Sequence, residues 1–316
     1  MPRLFIRLFM IYLLLSVVLS VLLLLNFRLF PRYQVDTFQA IVFNYPVCFL
    51  TGYLLLPAGV AFRLDLSQTW TWLALGIGVA FVVTFLLSGA STQRNGITAT
   101  SLANNLSLVI PVCVSLFLLG TSGRRFDALN YIGLLLAVVA VGLSTYKKGE
   151  SDAAGTSIKT AGLAGLLPVA VFVMYGFTNT MINYMNVRYV AAGLHPVVVT
   201  LTMVVGAIAA GLFLLLIRYA RTGEQLRSRN FVGAITLGVP NFLSFYTLVL
   251  ALSAFGGNGA FVYPLYNIGV ILLAAASAAL FFRETLLPIN KIGLALAVIA
   301  IGLISWQELF SAYSMQ

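Results

Sequence analysis

The sequence has little charge. Only 8% of its 316 residues are Asp, Glu, Lys or Arg, whereas 61% are hydrophobic, and the mean hydropathy is +1.02. A soluble domain carries about 25% charged residues, so this chain lacks the polar surface that a water-soluble protein needs. An apolar run of about 20 residues can cross a bilayer as a helix. The composition therefore predicts an all-α polytopic membrane protein whose main partner is the lipid bilayer.

Histidine and cysteine are also scarce. His195 is the only histidine, and Cys48 and Cys113 both lie inside apolar runs. Zinc chemistry or a histidine-based catalytic triad needs more partners than these, so we predict no metal, no cofactor and no enzyme activity. The net charge of +10 does not indicate nucleic acid binding, because the bases stand in short connections and form no basic helix face or recognition motif.

Acidic residues are missing from the middle of every apolar run. A charged residue at the bilayer centre costs about 2.5–3.5 kcal/mol on insertion scales and is usually functional where it occurs. Its absence argues against proton exchange through a central carboxylate. If the chain binds a substrate, we expect a small molecule that is neutral, zwitterionic or anionic. The eight acidic residues lie in loops or at span ends: Asp36, Asp65, Asp127, Glu150, Asp152, Glu224, Glu284 and Glu308.

Apolar runs separated by Asn, Gly, Pro and charged clusters predict ten membrane spans. They cover residues 8–27, 36–57, 69–91, 97–119, 129–146, 161–184, 196–217, 231–253, 258–282 and 289–307.

The chain repeats itself at an offset of about half its length. "IGLLLAVVAVGL" at 132–143 matches "IGLALAVIAIGL" at 292–303 at nine of twelve positions, and Asn130 precedes the first as Asn290 precedes the second. At an offset of 162, Gly76 matches Gly238. We therefore predict a first five-span repeat over 1–148, a linker over 149–158 and a second repeat over 159–310. Because five is odd, the second repeat is inverted in the membrane, an arrangement found in secondary transporters.

Neutral polar residues remain inside the spans. An amide or phenol in hydrocarbon needs a partner, so rows of them predict a polar cavity between the repeats that binds substrate. Bonds that only join helices are the alternative. The candidate binding residues are Ser16, Ser20, Asn44, Tyr45, Thr84, Ser88, Asn104, Asn105, Tyr175, Asn179, Asn183, Asn241, Tyr263, Tyr266 and Asn267. Candidate hinges, or static kinks, are Pro111, Pro240 and Pro264.

Small residues recur one turn apart in spans 5 and 10, as Gly133-xxx-Ala137 and Gly293-xxx-Ala297. This spacing lets helices approach closely. The repeated stretch is therefore predicted to be a packing face, either between the halves or between the protomers of a homodimer.

The stretch "ALFFRETLLPINKIGLALAVIAIGL" at 279–303 resembles the drug/metabolite transporter superfamily in its ten-span EamA-like branch. The first repeat departs from the pattern, with Thr121-Ser122-Gly123 near the place of the acidic residue that Glu284 supplies in the second. The resemblance implies a secondary-type transporter for small metabolites in a bacterial inner (plasma) membrane. Amino acids, sugars, nucleotide-linked sugars and cationic drugs are the substrates it implies; the neutral interior favours an amino-acid-like solute.

Orientation is predicted in two opposite ways. Six bases lie on the side of the termini and twelve on the other side, so the positive-inside rule places both termini outside, whereas the resemblance implies cytoplasmic termini. The alternatives to a transporter of small solutes are a flippase for a lipid-linked substrate, a polytopic membrane enzyme without a recognisable catalytic set, and a noncatalytic scaffold.

Overall fold

The structure is a computed structural model. It describes residues 2–117, 127–145, 158–190, 193–223, 225–254 and 259–307. Most of the predicted linker, the stretch Thr121-Ser122-Gly123 and four of the eight acidic residues lie outside these ranges.

Most of the described residues are helical, and none of them lies in a strand. The helices are α1 (Pro2–Leu29), α2 (Thr37–Leu54), α3 (Thr69–Asn95), α4 (Ile97–Leu106), α5 (Val109–Phe117), α6 (Ala128–Thr145), α7 (Ile158–Met185), α8 (Pro196–Thr222), α9 (Ser228–Ala254), α10 (Gly259–Phe282) and α11 (Pro288–Ile304), with a π-helical turn at Asn186–Val190 after α7.

Each predicted span coincides with a helix or, for the fourth, with two. Seven segments of the described chain are long and apolar enough to cross a membrane. Helices α6 and α11 are apolar but shorter. Helix α2 is not among the seven, because Gln39 and Asn44 interrupt its apolar sequence. The chain is therefore a helical protein suited to a membrane.

The fourth predicted span is one apolar segment long enough to cross a membrane, Ile97–Val114, but it consists of two helices that meet close to the predicted kink at Pro111. Helix α4 ends at Leu106 and α5 begins at Val109. Pro111 has no N–H, and in a continuous helix its ring would clash with the carbonyl four residues earlier, that of Ser107. Around this point the backbone turns more tightly, since the N–H of Ser107 donates to Asn104 O at 3.3 Å and that of Ile110 to Ser107 O at 3.0 Å. Pro240 and Pro264, in contrast, lie within continuous helices.

The most extensive helix pairings follow a regular scheme. Helix α1 packs on α9 as α7 packs on α3, and α2 packs on α9 as α8 packs on α3. Similarly, α1 contacts α10 while α7 contacts α4, and α4 contacts α6 while α10 contacts α11. Three further pairs, α2 with α8, α4 with α10 and α6 with α11, each join one helix to the helix that matches it in the other half. If each helix is replaced by its counterpart in the other half, this set of pairings is reproduced.

Helices α6 and α11 are antiparallel and bonded in the same way at both ends. Near the start of α6, the Asn130 amide donates to Leu303 O at 3.2 Å and to Ile304 O at 2.8 Å. At the start of α11, the Asn290 amide donates to Leu143 O at 3.0 Å. Gly133 lies against the α11 backbone, and Ala137 and Ala297 are fully buried. The predicted small-residue face is thus confirmed as a contact between the halves of one chain.

Glycines allow two further close contacts. A Cβ on Gly78 of α3 would meet the carbonyl oxygen of Met203 on α8, and one on Gly238 of α9 would lie 2.7 Å from the carbonyl oxygen of Asn44 on α2. Positions 78 and 238 differ by 160. By its contacts, Gly78 is therefore the residue equivalent to Gly238. The sequence alignment at an offset of 162 pairs Gly238 with Gly76 instead, but Gly76 has open space beside it.

Candidate functional site

Polar side chains from both halves meet where α1, α2, α3, α7 and α10 come together. Ser20 and Tyr266 share a hydrogen bond of 2.7 Å between their hydroxyl oxygens, and the Ser88 hydroxyl donates to the Tyr175 phenol at 3.4 Å. The phenol of Tyr175 is close enough to those of Tyr45 and Tyr266 to interact with both electrostatically. We call these five residues the phenol cluster. The structure thus brings five of the predicted site residues together.

Tyr45 is the most enclosed tyrosine of the phenol cluster. Its side chain is 2% exposed, and its hydroxyl has no hydrogen-bond partner among the described residues. Its ring lies 6.0 Å from that of Phe85. A buried hydroxyl without a partner costs about 1–3 kcal/mol, so this group marks a place where a ligand or water oxygen would be stabilised.

A second polar group adjoins the phenol cluster at the break between α4 and α5. The Asn179 amide donates to the Ser107 hydroxyl at 3.2 Å, and that hydroxyl donates to Asn104 O at 2.5 Å. Asn179 stands one turn after Tyr175 on the same face of α7, and Asn183 follows one turn later. Asn104, Asn179 and Asn183 are all partly exposed. The predicted polar row on α7 is therefore accessible along its length.

Other predicted site residues join helices instead. Ser16 is fully buried and donates to Ser244 O at 2.7 Å, which links α1 to α9. The Asn241 amide donates to Asn44 Oδ1 at 3.1 Å, and the Cys48 thiol bonds to the same oxygen and to Gly238 O. These residues hold α2 against α9.

The remaining predicted residues are outside the phenol cluster. Thr84 donates to Ala80 O and Asn105 to Ser101 O, each within its own helix. Asn267 is buried on α10, and Tyr263 is 38% exposed. A small, mainly apolar pocket adjoins Asn105 and is lined by α4, α5 and residues 301–305.

An aromatic layer covers one side of the phenol cluster. The rings of Phe27 and Phe85 meet edge to face with centroids 5.8 Å apart, and Phe85 also contacts Tyr45. Phe27 is 1% exposed. The connections α1–α2, α3–α4, α8–α9 and α10–α11 lie at one end of the bundle, which we call face A.

Polar bonds cross between the halves at face A. The Arg218 guanidinium at the end of α8 binds both carboxylate oxygens of Asp36, at 2.8 and 3.1 Å. Asn230 accepts from the Asp36 backbone N–H at 2.9 Å and donates to Gln39 Oε1 at 2.7 Å. We call these four residues the face A latch. It ties the start of α2 to the end of α8 and the start of α9.

Glu284 makes a further bond between the halves. Its carboxylate accepts from the backbone N–H of Ile97 at 2.9 Å and from that of Thr98 at 3.3 Å, and also from the Thr98 hydroxyl. The α10–α11 connection thereby caps the start of α4, where free N–H groups and the helix dipole favour a carboxylate. Gly96 leaves room for this carboxylate with φ of +96°.

Sequence reasoning missed the face A latch and the cap made by Glu284. One signal was present: Asp36 directly precedes α2 and accepts from the Gln39 N–H at 2.7 Å, as an N-cap aspartate does. No local pattern identifies Arg218 as its partner 182 residues later.

The described residues contain no group of three or more His, Cys, Asp or Glu side chains that could hold a metal. The five residues of the phenol cluster are all uncharged.

No family model matches the chain. It is 26% identical to an uncharacterized protein from Haemophilus influenzae over 292 residues, which cover 90% of this chain and 93% of that protein. A solved protein crystal structure is similar with a TM-score of 0.55 and 16% identity, covering 92% of this chain and 96% of that one. The likeness to the crystal structure extends over nearly the whole chain and concerns the fold alone.

Proposed function

We propose that this chain is a secondary-type transporter that moves a small polar metabolite across a bacterial inner membrane. In this proposal its helices make ten spans, arranged as two inverted five-helix repeats. The observation that carries the proposal is the set of helix pairings that is reproduced when the halves are exchanged. These helices surround a cluster of buried and partly buried hydroxyls contributed by both halves.

Exchange of the halves has a physical use. If the two repeats can adopt each other's conformations, a state open on one face and a state open on the other have similar free energies. A solute held between the repeats is then released on either side. Transport by alternating access follows from this near-equality.

The structure corresponds, in this proposal, to the state closed at face A. The buried ring of Phe27 and the face A latch lie at that end of the bundle. The partly exposed row of Tyr175, Asn179 and Asn183 leads from the phenol cluster towards the opposite end. Opening face A requires the latch to separate, while the α6–α11 pair stays bonded as an axis.

The uncharged phenol cluster favours a solute without net charge. An isolated ion moved from water into an apolar interior loses most of its hydration, and this loss is large unless a partner charge is present. A neutral or zwitterionic metabolite avoids that cost.

Uptake into proteoliposomes tests the proposal. Purified protein would be reconstituted, loaded with one unlabelled solute at a time, and assayed for exchange against the same labelled solute, across amino acids, sugars, nucleotide sugars and organic cations. Ser20→Phe, which fills the space beside Tyr266, is the blocked control. We expect exchange of at least one solute class by the wild type and none by the control. Equal signals from wild type, control and protein-free vesicles for every solute would contradict the proposal.

A further inference from the structure

The phenol cluster contains more hydrogen-bond donors than it uses. Each hydroxyl carries one proton. The Tyr45 proton has no acceptor among the described residues. Tyr175 accepts from Ser88, and the described contacts give its own proton no acceptor. Ser20 and Tyr266 share one bond, which uses one of their two protons. Three O–H donors of the phenol cluster are thus without an acceptor among the described residues.

Unused donors select a ligand group rich in acceptors. A carboxylate offers about four lone-pair sites on two oxygens, and hydrogen bonds to a charged acceptor are stronger than those between neutral groups. An ammonium offers only donors, so it would leave the three phenol-cluster protons unused. The cluster therefore favours a carboxylate over an ammonium.

A lone carboxylate would still be costly here, because all five residues of the phenol cluster are neutral and supply no balancing charge. The negative charge must then be balanced within the ligand itself, by a positive group close to the carboxylate. That condition is met by a zwitterion.

The side-chain carbonyl oxygen of Asn179 is positioned to bind the positive group of the ligand. The amide nitrogen of Asn179 donates to Ser107, which leaves its carbonyl oxygen as an acceptor on a partly exposed side chain. Residues four apart on a helix have neighbouring side chains, with about 5–6 Å between Cβ atoms, so this acceptor lies one turn from the Tyr175 side chain. A small zwitterion can reach both groups at once.

We propose that Tyr45, Tyr175 and Tyr266 set substrate specificity by donating hydrogen bonds to the carboxylate of a zwitterionic substrate, while Asn179 accepts from its ammonium. This inference rests on the transport function proposed above. It assigns a polarity to the bound molecule, with the carboxylate beside the aromatic layer and the ammonium at the break between α4 and α5.

Ligand-dependent thermal stability in detergent tests this assignment, because a ligand that binds only the folded state raises stability according to its affinity. The probes are the twenty standard L-amino acids, each with its methyl ester and its N-acetyl derivative. The variants are Tyr45→Phe, Tyr175→Phe, Tyr266→Phe and Asn179→Leu. Tyr246→Phe is the matched control, because Tyr246 is a part-buried tyrosine on α9 that stacks on Phe242 outside the phenol cluster.

For the wild type, we expect at least one amino acid to bind roughly tenfold or more tightly than its methyl ester, which has no carboxylate. Each cluster variant should weaken the amino acid about tenfold and leave the ester nearly unchanged. Asn179→Leu should weaken the amino acid but not its N-acetyl derivative. Tyr246→Phe should match the wild type.

Two results would overturn the assignment: an ester that binds as tightly as its amino acid, or three phenylalanine variants that bind the amino acid as the wild type does. Exchange of a sugar or an organic cation in the vesicle assay, without any amino acid bound, would overturn the assignment and leave the transport function standing. Exchange of no solute class would overturn both.

Discussion

The two halves of the chain agree in their packing and differ in their centre. Asn130 and Asn290 make the same bonds across the α6–α11 pair, and Gly78 and Gly238 make the same close approach to α8 and α2. At the phenol cluster this equivalence ends. At an offset of 160, Tyr45 corresponds to Val205.

This difference separates two roles. A conformational change that exchanges the halves needs equivalent contacts, and the paired asparagines and glycines supply them in both halves. A binding site needs only one set of hydrogen bonds around one ligand, so its residues do not have to recur. The duplicated asparagines and glycines should therefore affect stability, whereas the phenol cluster, which is not duplicated, should affect ligand binding.

The largest effect is expected from the paired glycines. In Gly78→Ala or Gly238→Ala, the new Cβ meets a backbone carbonyl of the neighbouring helix that can move only with that helix. Overpacking of this kind costs about 1–3 kcal/mol. We expect the two variants to lower the midpoint of thermal unfolding in detergent by similar amounts.

Gly76→Ala is the matched control, because no atom lies within 4 Å of the new Cβ and Ala is favoured over Gly in a helix by about 1 kcal/mol. It should leave the midpoint unchanged or raise it. A loss at Gly76 as large as that at Gly78 would contradict the equivalence of positions 78 and 238.

The paired asparagines should come next. Asn130→Leu and Asn290→Leu each remove an amide that bonds two helices, and they leave a backbone carbonyl in the α6–α11 contact without that donor. Each loss is expected to cost about 1–3 kcal/mol in thermal unfolding. The two variants should differ from each other by less than either differs from the wild type. If one asparagine variant unfolds at the wild-type midpoint and the other at a much lower one, the two asparagines are not equivalent.

Breaking the face A latch, which joins the start of α2 to the end of α8, should lower stability by less than the substitutions above. Arg218→Gln removes the charge bound to Asp36, and both side chains are about a third exposed, at 28% and 30%. Because solvent screens such a pair, the expected cost is about 1 kcal/mol or less.

If the latch keeps face A closed, a cysteine introduced by Ser88→Cys should react faster with a thiol reagent when Arg218→Gln is also present. Arg221→Gln on the same helix end is the control. Equal labelling of both variants would argue against a gating role.

How far the sequence alone predicts this arrangement depends on the range of each interaction. The helices, and the small-residue face that includes Gly133 and Ala137, follow from composition and local spacing. The contact between Asp36 and Arg218 does not, because it depends on how distant helices are placed. The distinction between Asn44, which holds α2 on α9, and Tyr45, which has an unused hydroxyl, depends on adjacent side chains pointing in different directions. A list of polar positions cannot make that distinction.

The smallest effect is expected at Asp127, the position equivalent to Leu287 in the second half. Burial acts to raise the pKa of Asp127, but hydrogen bonds from Trp306, Asn130 and Gln307 outweigh it, so the pKa is lowered. A lowered folded-state pKa stabilises the fold above the unfolded value of about 3.9, and this contribution is lost as pH falls through the folded value. Asp127→Asn should therefore be less stable than the wild type at pH 6, with the gap closing below about pH 4.

The measurement is the midpoint of thermal unfolding for both proteins between pH 3 and pH 7. Asp65→Asn is the matched control. The pKa of Asp65 is also lowered, chiefly by hydrogen bonds from Ser67 within its own loop, and that loop does not join the halves. If Asp127 stabilises the fold through its bonds to Trp306 and Gln307 near the end of α11, Asp127→Asn should lower the unfolding midpoint at pH 6 by more than Asp65→Asn does. A larger stability difference for Asp65→Asn would assign the contribution of Asp127 to its local loop structure rather than to the contact between the halves.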